Sequence, residues 1–405
     1  MTRQFLHSAA ALSLAAMLAT AAAGAEQPTR WVATWGAAPD AAGPALAPQT
    51  LRQVVRTSLG GTAVRIALSN EYGTGPLAIG SAHVAVRGNG AGLVPGSGRA
   101  VTFDGSPTVT LEKGGSIVSD AVDLRVAPLQ ELAISLYLPA GSAASTIHGA
   151  ALQTAYIAPG IDAAAAEAFP AGPTDDSRHF ITGVDVAAPG GAGAIVVVGD
   201  SIADGIGSTE DGNARWPDIL AQRLSGAAAP VAVVNAGIAG NRIVRNAARP
   251  FAGPATMARL ERDALDKPGV KWIVLAQGIN DITAGDMLAD PAEKIAAQQI
   301  IDAMQALVRR AHARNVRVCG ATLMPLEGVR RPFVHSLAGE AARQQVNAWI
   351  CDSAPFDATV DLDRAMRDPS HPGRLQARFD SGDHLHPNDA GYAAIAEAVQ
   401  AACVK

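Results

Sequence analysis

From Trp31 to about Pro159, apolar and polar positions alternate in short runs such as "AVRIALSN", "SAHVAVRG", "RAVTFDG", "TVTLEKGG" and "ELAISLYLP". Alternation of the kind seen at Val64, Ile66 and Leu68 gives each run one buried face, and Gly, Pro and Asn turn signals separate the runs at roughly ten-residue spacing. This pattern predicts an all-β sandwich or jelly-roll-like domain over residues 26–160. In "DAAAAEAFPAGPTDDS" the alternation is lost and Pro and Asp enter, so residues 161–178 read as a linker. Beyond His179 the pattern changes to continuous apolar runs, "AIVVVG", "VAVVNAG", "WIVLAQG", "VRVCGATL" and "DATVDL". Helical stretches alternate with them near 216–224, 254–265, 291–313, 338–350 and 389–402. Strand and helix in strict turn predict right-handed βαβ units, with both faces of the sheet covered. Residues 179–405 are therefore expected to form an α/β domain with a doubly wound, flavodoxin-like parallel sheet of five strands.

The first 25 residues combine Arg3, an apolar run from Ala9 to Ala19 and the small-residue site Ala23-Gly24-Ala25. This reads as a cleaved secretory signal peptide, which makes the mature protein secreted or periplasmic. The apolar run is shorter than the ~20 residues a membrane span needs, and no other segment suggests stable membrane insertion. The formal net charge is -5 with both signs interspersed, which excludes the basic stripe a nucleic-acid partner requires. Of the three cysteines, Cys319 lies in an apolar strand and is expected as a core residue, and the pairing expected of any bridge is Cys351 with Cys403.

In open parallel sheets, ligands bind beyond the carboxyl ends of the strands, where strand order reverses. The turns after the first three strands are Gly199-Asp200-Ser201, Gly237-Ile238-Ala239-Gly240-Asn241 and Gly278-Ile279-Asn280-Asp281, all rich in Gly and small polar residues. Ser201 alone could be a helix cap. Far along the chain, "FDSGDHLHPNDAGY" places Asp383 three residues before His386. That spacing lets a carboxylate reach the ring Nδ1 and leaves Nε2 for Ser201, the arrangement that makes a serine nucleophilic. Asp380 and His384 offer a competing pair, and the acids beside His384 and His386 also permit a metal site. His83, His148 and His312 are assigned no role.

The four blocks "GDSI", "GIAGN", "GIND" and "DHLH" resemble, in order, the motif blocks of the SGNH/GDSL hydrolase superfamily, over roughly residues 190–400. The one departure in the first block is Ile202 where Leu is commoner, a volume-conserving change. The resemblance implies the SGNH hydrolase fold and a secreted serine esterase that cleaves carboxylic esters through an acyl-enzyme. It makes Ser201 the nucleophile, His386 the general base and Asp383 its partner. The backbone N–H groups of Ser201 and Gly240 and the Asn280 amide would form the oxyanion hole, with no metal or cofactor. The expected partners are small-molecule or polysaccharide esters, including acetyl or short acyl groups on carbohydrate. The alternatives are a lipase or lysophospholipase, and a non-catalytic carbohydrate-binding surface protein. Loops of the β-domain are expected to wall one side of the cleft.

Overall fold

The computed structural model describes residues 29–227, 229–247, 250–329 and 335–404. The segment expected to be a signal peptide, residues 1–25, lies outside them. The amino-terminal part is antiparallel. One sheet runs, in spatial order, through Thr29–Gly36, Ile181–Pro189, Val64–Ser69 and Ser116–Val118. A larger one runs through Thr174–Asp175, Ala155–Pro159, Gln49–Arg56, Glu131–Leu138, Ser81–Val86 and Arg99–Ala100. Val32, Ile66 and Val184 from the first sheet and Leu51, Val84 and Ile134 from the second share one apolar core, as the alternating pattern requires.

Two boundaries differ from the sequence expectation. The strand Ile181–Pro189, expected to open the α/β domain, lies instead between Thr29–Gly36 and Val64–Ser69, so the β-domain extends to Pro189. The expected linker, residues 161–178, is packed against the sandwich, with Ala163 and Ala164 buried. Its carbonyl groups at Ala163, Ala164 and Ala166 accept hydrogen bonds from Arg52, so its first part is anchored without a strand ladder, whereas Thr174–Asp175 pairs into the larger sheet.

The second half is a parallel sheet of β1 (Gly193–Gly199), β2 (Val231–Gly237), β3 (Val270–Ala276), β4 (Arg317–Ala321) and β5 (Ala358–Val360), in spatial order β2-β1-β3-β4-β5. This is the doubly wound, flavodoxin-like order, with its switch point between β1 and β3. Along β1, Ile195 and Val197 face a core shared with Trp216, Leu220, Tyr392 and Ile395. Val196 and Val198 face the opposite one, with Ile300, Met304 and Leu307. Both faces are dry, which is why the run carries no polar alternation. The helices are α1 (Ser201–Asp204), α2 (Trp216–Leu224), α3 (Thr256–Leu260), α4 (Ile279–Met287), α5 (Ala297–His312), α6 (Leu337–Asp352), α7 (Leu362–Met366) and α8 (Asp389–Cys403). No helix among the described residues is long and apolar enough to cross a membrane.

The cysteine expectation is corrected. Cys319 on β4 is bonded to Cys403 at the end of α8, with 5.8 Å between their Cα atoms, and Cys351 is exposed. The physical reason is the layering: α8 packs its buried face on the sheet and brings Cys403 over β4, whereas Cys351 lies on the outer side of α6.

β2 is an edge strand, and the sandwich covers it. The Val233 N–H donates to Ser58 Oγ at 2.9 Å, and the sandwich also meets the turn before β3, where the Ala33 N–H donates to the Pro268 carbonyl at 2.8 Å. Covering an open edge in this way satisfies backbone groups that would otherwise template aggregation. The β-domain also grips the loop between α1 and α2. Asp211 accepts from the Thr154 N–H and hydroxyl, each at 2.7 Å, and Asn213 donates to Glu131 at 2.9 Å.

Candidate active site

Ser201 stands where β1 turns into α1. Asp200 caps that helix, its side chain accepting from the Ile202 N–H at 3.1 Å, and Gly205 ends it in a left-handed conformation. The capping role that Ser201 could have filled therefore belongs to Asp200. As the first helical residue, Ser201 has an N–H with no acceptor inside the helix. Asp200 is buried, and that burial raises its pKa to about 7.

The segment before α8 carries the base. His386 Nε2 lies 2.8 Å from Ser201 Oγ, and its Nδ1 lies 2.5 Å from Asp383 Oδ2. Nδ1 faces a carboxylate that can only accept, so the tautomer that fits carries its proton on Nδ1 and accepts the Ser201 hydroxyl proton at Nε2. The other Asp383 oxygen accepts from the backbone N–H groups of His386 at 2.8 Å and Leu385 at 2.9 Å. Burial opposes ionisation of Asp383, but the hydrogen bond to His386 and these backbone donors outweigh it and hold the carboxyl well below the usual carboxylate range. The competing pair also forms, His384 Nδ1 meeting Asp380 Oδ2 at 2.5 Å, but it is His386 that meets Ser201. Asn388 caps α8 and also holds the Asp380 carbonyl, and the Tyr392 hydroxyl donates to the Ile206 carbonyl at 2.6 Å, tying α8 to the loop that follows Ser201.

The two remaining turns meet at the same place. Gly240 has φ +76, a left-handed conformation that L side chains rarely adopt. Asn280, in the first turn of α4, donates to the Asn241 carbonyl at 3.1 Å, which commits one of its two amide protons. Asn241 is a buried hub: it donates to the carbonyls of Ala252 and Pro254 and accepts from Thr256, Arg259 and Gln277. Asp281 accepts from the N–H groups of Ile243 and Val244, and burial raises its pKa to about 6. Arg259 adds donations to the carbonyls of Gly199 and Ala236, at the ends of β1 and β2. Asn241 and Asp281 thus brace the turns.

Ser201, Gly240, Asn280 and His386 line one pocket of about 170 Å³, whose walls are otherwise mainly apolar, among them Ile206, Phe251, Ala252, Ala284, Met287 and Leu288. Among the described residues, those lining this pocket all come from the α/β domain, and none from the β-domain. Sequence reading located Ser201, Asp383, His386, Gly240 and Asn280, and the structure brings all five together. It missed Asp204 and His148, which meet beneath the nucleophile helix at 2.9 Å. Asp204 lies three residues after Ser201, just past the "GDSI" block, but its partner is 56 residues upstream and no local pattern points to it.

A doubly wound sheet with a serine, histidine and carboxylate linked at its switch point defines a serine carboxylic ester hydrolase. Residues 197–394 match the model of the GDSL-like lipase/acylhydrolase family, and the α/β domain belongs to that family. Among solved structures, the chain is similar to an α/β hydrolase enzyme from the metagenome of Lake Arreo, at 21% identity over 52% of this chain and 94% of the other, TM-score 0.40. An acetylxylan esterase from Geobacillus stearothermophilus matches at 21% identity over 52% of this chain and 93% of the other, TM-score 0.39. A GDSL-like lipase from Bacteroides thetaiotaomicron matches at 17% identity over 51% and 86%, TM-score 0.36. No curated protein is significantly similar to this chain.

Proposed function

We propose that Ser201 is the nucleophile of an exported esterase whose preferred substrates carry a short to medium apolar acyl group. The Ser201 hydroxyl attacks the ester carbonyl while His386 Nε2 takes its proton, and Asp383 stabilises the imidazolium that results. The negative charge on the former carbonyl oxygen is received by the N–H groups of Ser201 and Gly240 and by the second amide proton of Asn280. Collapse breaks the ester bond, and the alcohol leaves with the proton from His386. Water then attacks the acyl-enzyme by the same route in reverse, releasing the acid.

The observation that carries this reading is the apolar pocket beside Ser201, Gly240, Asn280 and His386. A volume of about 170 Å³ is comparable to cavities of ~150 Å³ that accept benzene, so it suits an acyl group of about six carbons better than acetyl alone. That apolar lining favours esters with a hydrocarbon acyl part, on a sugar or other small alcohol. Export is supported by the Cys319–Cys403 disulfide, a bond that persists in oxidising compartments, together with the amino-terminal signal pattern. Steady-state kinetics on aryl esters from acetyl to decanoyl, with Ser201→Ala as blank, test the proposal. The expected result is a maximum of kcat/KM near butanoyl to hexanoyl and no activity in the variant; a monotonic preference for acetyl would refute the acyl assignment.

A further inference from the structure

We propose that His148, supplied by the β-domain, is a positioning residue of the esterase centre that acts through Asp204 to set the spacing between the Ser201 and Gly240 N–H groups. The inference rests on the esterase reading of Ser201. Asp204 is the last residue of α1, one turn beyond Ser201. One of its oxygens accepts from the Ala239 N–H at 2.8 Å, the residue immediately before Gly240. Its other oxygen meets His148 Nε2 at 2.9 Å. A single carboxylate thus spans from the nucleophile helix to the turn that presents Gly240. The two backbones approach so closely there that a Cβ on Gly237 would lie 2.6 Å from the Asp204 nitrogen.

The geometry also assigns the charge on His148. Its Nδ1 lies 2.9 Å from the Ala38 carbonyl, which only accepts, and its Nε2 lies 2.9 Å from an Asp204 oxygen, which accepts when Asp204 is a carboxylate. A neutral imidazole has one N–H and would leave one acceptor facing a lone pair, whereas the imidazolium satisfies both. Burial works against that charge, but Asp204 and Asp40, whose Oδ2 lies 3.8 Å from Nδ1, outweigh it and raise the His148 pKa to about 9. Other charged groups nearby are Arg56, Arg178, Arg215 and Asp218, around a cavity of about 30 Å³ beside the ring, and Arg259, whose charge is attracted by Asp204. Asp204 is almost fully buried, and a charge buried there is costly unless it is paired. His148 is the partner in direct contact with it, at 2.9 Å, and the buried Arg259 adds positive charge nearby. The β-domain, none of whose described residues lines the acyl pocket, thereby contributes to the alignment of the oxyanion donors.

The test uses the full chain with His148→Gln, Asp204→Asn and the double variant, reading kcat and KM on a butanoyl aryl ester, with circular dichroism for folding. The expected result is a fall in kcat of about 10- to 100-fold in each single variant, as donors shift by fractions of an ångström. KM should stay within about threefold, and the double variant should be no worse than Asp204→Asn, because the residues act in series. A folded His148→Gln protein with kcat within threefold of wild type overturns the proposal, as do losses that multiply in the double variant. Failure of both single variants to fold would assign the pair to stability alone and overturn it equally. Ser201→Ala separates the two readings: if that variant keeps its activity, the esterase assignment itself fails, whatever His148 does.

Discussion

Replacing Asn280 by Ala removes one of the three donors assigned to the oxyanion while leaving nucleophile and base untouched. Its side chain is buried, with one amide proton committed to the Asn241 carbonyl at 3.1 Å and the other available to the pocket that it lines. Loss of a preorganised oxyanion donor costs about 3 kcal/mol in the transition state, which is on the order of 10²- to 10³-fold in kcat. The donor matters little to the uncharged ground-state carbonyl, so KM should change by less than about threefold. Loss of the bond to Asn241 costs about 1 kcal/mol of stability, partly offset by the better helix propensity of Ala, so Tm should fall by no more than about 2–4 °C. Stopped-flow and steady-state hydrolysis of an aryl butanoate, with a thermal melt on the same preparation, measure all three quantities. A kcat within threefold of wild type, or a loss confined to KM, would refute the role of Asn280.

Other substitutions probe separate links. Gly240→Ala should lose about 1–2 kcal/mol of stability, because residue 240 has φ +76 and the new Cβ would lie 3.2 Å from Ala252 Cβ; its kcat should fall with it, and unchanged melting would contradict the strain argument. Ala284→Leu, which fills the acyl pocket, should move the chain-length optimum toward acetyl, and an unchanged optimum would place the acyl group elsewhere. The Cys319–Cys403 bond closes a separation of 84 residues, which corresponds to about 4–5 kcal/mol of chain entropy. Without reductant, alkylation followed by peptide mass spectrometry should therefore modify Cys351 alone, and label on Cys403 would contradict the pairing. For Asp200 the sign follows from its raised pKa: the folded protein retains a proton that the unfolded chain has lost between about pH 4 and 7, so the stability contributed is present below ~4 and falls as pH rises toward 7. Asp200→Asn keeps the capping oxygen without that penalty, and its Tm relative to wild type should rise from about pH 5 to pH 8; parallel curves would refute it. Asp383, with its depressed pKa, has the opposite sign and loses its contribution as pH falls below ~4.

The α/β half was legible because its apolar runs and helical periods coincide with β1 to β5 and the longer helices, and because the reacting residues sit in short blocks at strand ends. The sandwich was less so. In the strand Gln49–Arg56, Arg52 and Gln53 are fully buried, so the polar positions that should mark a solvent face point into the protein. Arg52 is satisfied by Ser135 and by the carbonyls of the packed segment 163–166, partners far apart in sequence. The same reason hid His148. A histidine at the end of a short strand, Ser145–His148, carries no mark of a catalytic neighbourhood until the fold brings Asp204 to it. The disulfide was misread because its partners depend on how α8 crosses the sheet, which spacing does not specify.

The central claim is that Ser201, activated by His386 and Asp383, attacks the ester. A serine-reactive alkyl phosphonate, followed by peptide mass spectrometry of the inactivated protein, tests it most directly. The account predicts one adduct per chain on Ser201, loss of esterase activity in proportion to labelling, and no label in His386→Ala. An adduct on another residue, or full labelling with activity retained, would contradict it.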